Sequence, residues 1–153
     1  MAKILGIDHG IVRVGIAVSD ESSTIAFGRE VLPNNKEIFK RILKYINEEN
    51  ISLIVIGYPL TLKGERSEQT KEVEKFEAEL KKVLKDTQFS NTGIIRWDER
   101  FTSKMASDSM LESGMKKKKR QQKGNLDIIS ASIMLQSYLD SRKKELIINP
   151  AHS

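Results

Sequence analysis

The stretch Ile4-Leu5-Gly6-Ile7-Asp8-His9-Gly10, followed by Arg13-Val14-Gly15-Ile16-Ala17-Val18-Ser19, decides the fold class of this chain. The first run is short and apolar and stops at a polar turn, His9-Gly10. The second is rich in β-formers, and the two read as a hairpin. A third strand is expected between Thr24 and Leu32, ahead of Pro33. The period then changes. Ile38, Phe39, Ile42, Leu43 and Ile46 recur at helical spacing over 36–49, with Asn34 and Glu37 placed as a capping box. Leu53-Ile54-Val55-Ile56-Gly57 is apolar on both faces, as a central strand covered by helices must be.

Further along, Val73, Phe76, Leu80, Val83 and Leu84 mark a helix over 67–85, and Gly93 opens a strand through Ile94, Ile95 and Trp97. A short helix is expected over 102–114, ending at Gly114, and an apolar one over 126–143; residues 144–153 read as a frayed tail. Three strands, then two strands each preceded by a helix, give an α/β domain spanning 1–153, a mixed five-stranded sheet with helices on both faces. In such sheets sites form outside the carboxyl ends of the parallel strands.

The 153 residues contain no cysteine, which excludes disulfides, thiolate nucleophiles and thiolate metal sites. No leader-like apolar segment follows Met1-Ala2-Lys3, and no run approaches the roughly 20 residues that span a bilayer, so a cytoplasmic protein with no membrane contact is expected. The net charge is +5, and its distribution matters more than its size. Lys116, Lys117, Lys118, Lys119, Arg120 and Lys123 crowd into one stretch, which suits a polyanionic partner.

Acids stand at the strand ends. Asp8 closes the first strand, Asp98-Glu99 close the fifth, and Asp127 lies in the first turn of the last helix, stacked over Ser130, Ala131, Met134 and Tyr138. Each has an ordinary explanation: a turn aspartate, a partner for Arg100, an acid at a helix N-terminus. Converging on one sheet edge beside a basic run, Asp8, Asp127 and an acid of the Asp98-Glu99 pair instead make a hard-oxygen site for Mg²⁺ or Mn²⁺. The chemistry such ions serve is phosphodiester hydrolysis.

These residues resemble the YqgF/RuvX family of RNase H-like nucleases, over nearly the whole chain. The likeness rests on Ile7-Asp8-His9-Gly10 with Arg13 to Asp20, Gly57-Tyr58-Pro59 with Gly64, Asp98-Glu99-Arg100-Phe101-Thr102-Ser103, and Lys123 to Leu135 around Asp127. It implies an RNase H-like fold of strand order 3-2-1-4-5 with strand 2 antiparallel. It also implies a metal-dependent nuclease processing the 5′ end of pre-16S rRNA in the cytoplasm during ribosome biogenesis, in contact with the small ribosomal subunit. Holliday-junction resolution of branched DNA is the alternative; a monomer or weak homodimer is expected, symmetrical cutting of a junction needing the dimer and RNA trimming not.

Asp8 and Asp127 match the family's acidic positions, and Ser103 stands where a second threonine is usual. The wider superfamily carries an acid at the end of strand four, where this chain has Gly57-Tyr58-Pro59. The third metal ligand is then Glu99, long enough to reach from the neighbouring strand. Asp98, facing the other way, orients Arg100 and stands as the alternative ligand. Arg13, Arg100, Lys116–Lys119, Arg120 and Lys123 are expected on nucleic acid; Tyr58 and Trp97 are aromatic candidates for base stacking, with Trp97 read as core.

Two competing readings bear on the same residues. Asp8-His9-Gly10 occurs as a phosphate-contacting turn in actin-like kinases, but those need two such domains. In a non-catalytic RNA- or ribosome-binding module the acids would be structural and only the basic run would function.

Overall fold

The computed structural model describes residues 2–100 and 123–148, with the side chains of the last helix described over 128–142. The chain begins with β1 (Lys3–His9), β2 (Arg13–Ser19) and β3 (Ala26–Pro33). It continues through α1 (Glu37–Glu49), β4 (Ile51–Tyr58), α2 (Glu68–Lys85), β5 (Gly93–Asp98) and α3 (Lys123–Ile148). The sheet order is β3-β2-β1-β4-β5. β2 runs antiparallel to both its neighbours, while β1, β4 and β5 are parallel. This is the order that the family resemblance implies. The segments 102–114 and 116–120 lie outside the described residues.

Strand alternation divides the core in two. Leu5 and Ile7 pack with Ile54, Ile56, Ile38, Ile42, Val73 and Leu80 under α1 and α2. Ile4, Ala17 and Val55 face the other way, against Ala131, Met134, Leu135 and Leu139 of α3. Each such aliphatic side chain contributes about 1.5–3 kcal/mol by leaving water. The sheet therefore holds its register firmly, because a one-residue slip would exchange the two faces.

The Asn34–Glu37 capping box does not form. Lys36 occupies the N-cap of α1 with no side-chain bond, and only Asn35 Oδ1 accepts from Glu37 N, at 3.0 Å. Asn34 turns instead to the β1–β2 hairpin. Its Nδ2 lies 2.8 Å from Gly10 O, 3.2 Å from Ile11 O and 3.1 Å from His9 Nε2. The hairpin presents inward acceptors with no other donor among these bonds, whereas the open end of α1 can bond to water. A capping box does form at α2, where Ser67 and Thr70 exchange bonds.

His9 also differs from expectation: it is the last residue of β1 and buried, its ring 4.7 Å from that of Phe76, so it is a packing residue and not part of the turn. At the other end, α3 continues to Ile148 where fraying was expected from residue 144. Lys143, Lys144, Glu145 and Leu146 are good helix formers with no glycine or proline among them.

α3 sits very close to the sheet. Gln136 bridges to the β2–β3 connection, accepting from Ala26 N and donating to Thr24 O, both at 2.9 Å. A Cβ at Gly28 would meet Ile128 Cγ2 at 2.5 Å and Ile128 O at 3.2 Å, so only glycine lets helix and strand approach this far. Replacing Gly28 by Ala should cost about 1–3 kcal/mol through overpacking, read as a lower urea midpoint at unchanged slope. An unchanged midpoint would mean that the helix backs away freely.

A carboxylate pair at the sheet edge

The acids are placed by the same alternation that builds the core. Asp8 is two residues on from Gly6, whose open side meets Leu135 of α3, so it projects toward α3 at the carboxyl end of β1. Across β2 it pairs with Gly15, which adds no side chain to the site. On the other side β1 and β4 pair through Ile7 and Ile56, which sets Gly57 beside Asp8. Gly57 also faces α3, as Val55 does.

β5 extends this edge. Gly57 pairs with Trp97 and Tyr58 with Asp98, and Glu99 N donates to Tyr58 O at 3.1 Å, which carries the pairing one residue beyond the strand. Ile95 and Trp97 pack on the α3 side, with Trp97 edge-on to Tyr138 at 5.8 Å. Glu99 follows on that face. Its side chain crosses the bare backbone of Gly57: a Cβ there would collide with Glu99 Oε1 and lie 2.9 Å from its Cδ.

The carboxyl so delivered bonds with that of Asp8. Burial, the Asp8 charge, the bond with Asp8 and the Asp98 charge raise the Glu99 pKa to about 9. Two sheltered carboxylates in contact cannot both ionise at ordinary dielectric cost, so one holds a proton unless a cation replaces it.

Asp98 faces the other way and is occupied. Arg100 Nε and Nη2 reach its Oδ2 at 2.9 and 2.6 Å, and Arg100 N donates to its Oδ1 at 3.0 Å. The Arg100 hydrogen bonds hold the Asp98 carboxyl below its ordinary range. The same guanidinium lies against Gly64, 3.1 Å from where a Cβ would stand, and so ties the β4–α2 loop to the end of β5. Tyr58 donates to Glu74 at 3.0 Å and carries Arg96 over its ring at 4.6 Å, while Arg96 pairs with the buried Glu77. These contacts occupy one face of Tyr58 and fasten α2 to the edge.

Arg13 opens β2 at this same edge, its carbonyl accepting from Gly10 N at 2.8 Å. Asp127 and Lys123 belong to α3, and their side chains lie outside the described ones, as do residues 116–120. Among the described residues no group of three His, Asp or Glu side chains gathers as a metal site. A hollow of about 420 Å³ lined by Leu32, Pro33, Ile38 and Arg41 lies on the α1 face, the side opposite Asp8.

Sequence reasoning missed the role of Gly57. The signal was there: a glycine at the one strand end where the wider superfamily places an acid. It missed Asn34 as the hairpin's anchor, because asparagine before a helix reads first as a cap.

Sheet order and strand directions define the fold class. The fold is that of RuvC-like RNase H-fold resolvases: the chain aligns with Thermus thermophilus RuvC, solved with a Holliday junction, at TM-score 0.59 and 13% identity over 94% of this chain and 96% of that one. It aligns with the yeast mitochondrial Holliday junction resolvase at TM-score 0.61 and 11% identity, over 94% and 80%. Within that class the chain belongs to the RuvX family, described as Holliday junction resolvase, which matches residues 2–141. Relatives from Bacteroides fragilis and Parabacteroides distasonis, named as candidate pre-16S rRNA nucleases, are 43% and 42% identical. They align over 94% and 95% of this chain and 99% and 100% of their own lengths.

The shared proton has a measurable consequence. With the Glu99 pKa raised on folding, the metal-free protein loses stability as pH rises from the ordinary glutamate range toward 9. Glu99→Gln removes that dependence and can still donate to Asp8. Melting in EDTA should show the variant gaining on the wild type steadily between pH 5 and 9; a constant gap would mean that the two carboxyls do not share a proton.

Proposed function

We propose that this chain is a metal-dependent phosphodiesterase that processes the 5′ end of pre-16S rRNA in the cytoplasm. The observation that carries the reading is the Asp8–Glu99 contact over Gly57, at the carboxyl edge where β1, β4 and β5 end. A protein gains nothing in stability from pressing two sheltered carboxyls together, whereas a divalent cation repays the cost. The donors are hard carboxylate oxygens, with no cysteine in the chain, and they fit Mg²⁺ or Mn²⁺.

Asp8, Glu99 and Asp127 would hold the ion; α3, the helix that carries Asp127, packs on the face that Asp8 and Glu99 share. When bound, it supplies an activated water and offsets charge on the phosphodiester. The chain's own groups do the remaining work. Gly57 keeps the path of Glu99 clear, and Asp98 holds Arg100 so that its guanidinium stays at the rim. Arg100 and Arg13 contact backbone phosphates flanking the scissile one, since a guanidinium matches phosphate oxygens in pairs. Lys116–Lys119, Arg120 and Lys123 extend that contact along the strand and set its salt dependence.

A second reading, cleavage of branched DNA, is favoured by the family's description as Holliday junction resolvase. A monomer or weak homodimer suits trimming of RNA at the small ribosomal subunit, whereas paired cuts at a junction require two copies. Side-by-side assays on precursor 16S rRNA and a four-way junction separate the two.

With Mg²⁺ or Mn²⁺ the precursor should be cut, and EDTA should stop it. Asp8→Asn, Asp127→Asn and Glu99→Gln should each lower kcat by at least roughly 10²-fold with the fold retained by circular dichroism. A residue whose replacement leaves kcat unchanged is not part of the mechanism. Gly57→Ala should act as a Glu99 variant does, since its methyl displaces that carboxyl. Serine at positions 116–120 should weaken binding and reduce the slope of log K against log salt by up to about 0.7 per lost phosphate contact on a single strand; an identical slope would remove this run from the interface.

A further inference from the structure

The tip of the β1–β2 hairpin carries two apolar side chains in water, Ile11 and Val12, exposed to 66% and 71%. Nothing in local structure asks for them. Tight turns favour Gly, Asn, Asp and Pro for their backbone freedom, and a β-branched pair is a poor choice there. Nor is the tip loose. Asn34 Nδ2 is within bonding distance of Gly10 O and Ile11 O, Asn34 N donates to Val12 O at 3.0 Å, and Gly10 N donates to Arg13 O. Neither residue has a positive φ. Backbone bonds across the turn and the Asn34 anchor before α1 thus hold two hydrophobic groups outward.

Their place is next to the acid pair. Ile11 is three residues beyond Asp8, so its Cα lies within about 10 Å of that of Asp8 by chain length alone. One strand of nucleic acid rises about 3.4 Å per nucleotide, which puts the tip within some three nucleotides of the scissile phosphate. Arg13, which follows the tip directly at the start of β2, is cationic, so a polyanion rather than an apolar protein face is the occupant it suits.

Resting on the nuclease reading, we propose that Ile11 and Val12 form a wedge that enters the base stack beside the cleavage point and selects sites at a boundary between paired and unpaired RNA. Rigid apolar wedges open base steps in this way, at a cost of a few kcal/mol per step that the inserted side chains offset. At such a boundary one neighbour is already frayed and the cost is least. The acids perform hydrolysis; the tip determines where the strand is presented to them.

The test uses the full-length protein in EDTA with RNA carrying 2-aminopurine at successive positions around a duplex end. Wild type should raise fluorescence at one position within three nucleotides of the boundary. Ile11→Ser with Val12→Ser should abolish the rise, leucine at both positions should restore it, and Phe27→Ser should leave it in place. Phe27 is similarly exposed but pairs with Val18 at the opposite end of the sheet. With metal, the double serine variant should increase the preference for unstructured over boundary substrate at least about tenfold in kcat/KM, the equivalent of 1.4 kcal/mol of unstacking. A fluorescence rise that survives the serines overturns the wedge, as does a loss of self-association in their place, which would make the tip a contact between copies. If wild type cuts neither RNA, the nuclease reading fails while the fluorescence still decides the wedge.

Discussion

Two carboxylates held against each other over a glycine organise the edge of this protein. Asp8 comes from the central strand and Glu99 from just beyond the outermost one, and β4 lies between them. They meet because Gly57 leaves the intervening strand without a side chain at the crossing point. Any larger residue would force Glu99 out and leave Asp8 alone. The proton that the pair must hold, with Glu99 raised to about 9, is the electrostatic cost of that arrangement. A fold selected for stability alone would avoid it.

The surroundings serve to keep the pair in register. Asp98 and Arg100 bond on the opposite face of β5 and draw in the loop that follows β4. Arg96 and Glu77 join β5 to α2, while Tyr58 and Arg66 both meet Glu74. α3 closes the other face so tightly that Gly28 is required beneath Ile128. Individually, exposed ion pairs of this sort contribute little. Around one site they act by restricting where the strand ends can move.

The chain belongs to the RuvX family and has the RuvC-like fold. Function, however, lives in the site and not in the fold. In the reading proposed here the hairpin tip and the acids divide the work: one prepares the strand, the other cleaves it. Both depend on the first hairpin, so positions 8 to 13 would carry more of the activity than any other stretch of comparable length.

Period and punctuation in the sequence were enough for the strands themselves. Alternating and continuous apolar runs named the five strands and helical spacing the described helices, while their order, 3-2-1-4-5, was what the family resemblance implied. They sufficed also to put acids at the ends of strands one and five, because a residue's place along a strand is a local property. What the sequence left open was which groups meet. Asn34 looked like a helix cap and became the hairpin's anchor; His9 looked like a turn residue and became buried against Phe76. Whether Asp98 or Glu99 turned toward Asp8 depended on the facing of β5 across β4, and room for the contact depended on a missing side chain at Gly57. Contacts between residues tens of positions apart are set by register and by clearance, and those exist only once the strands are laid side by side.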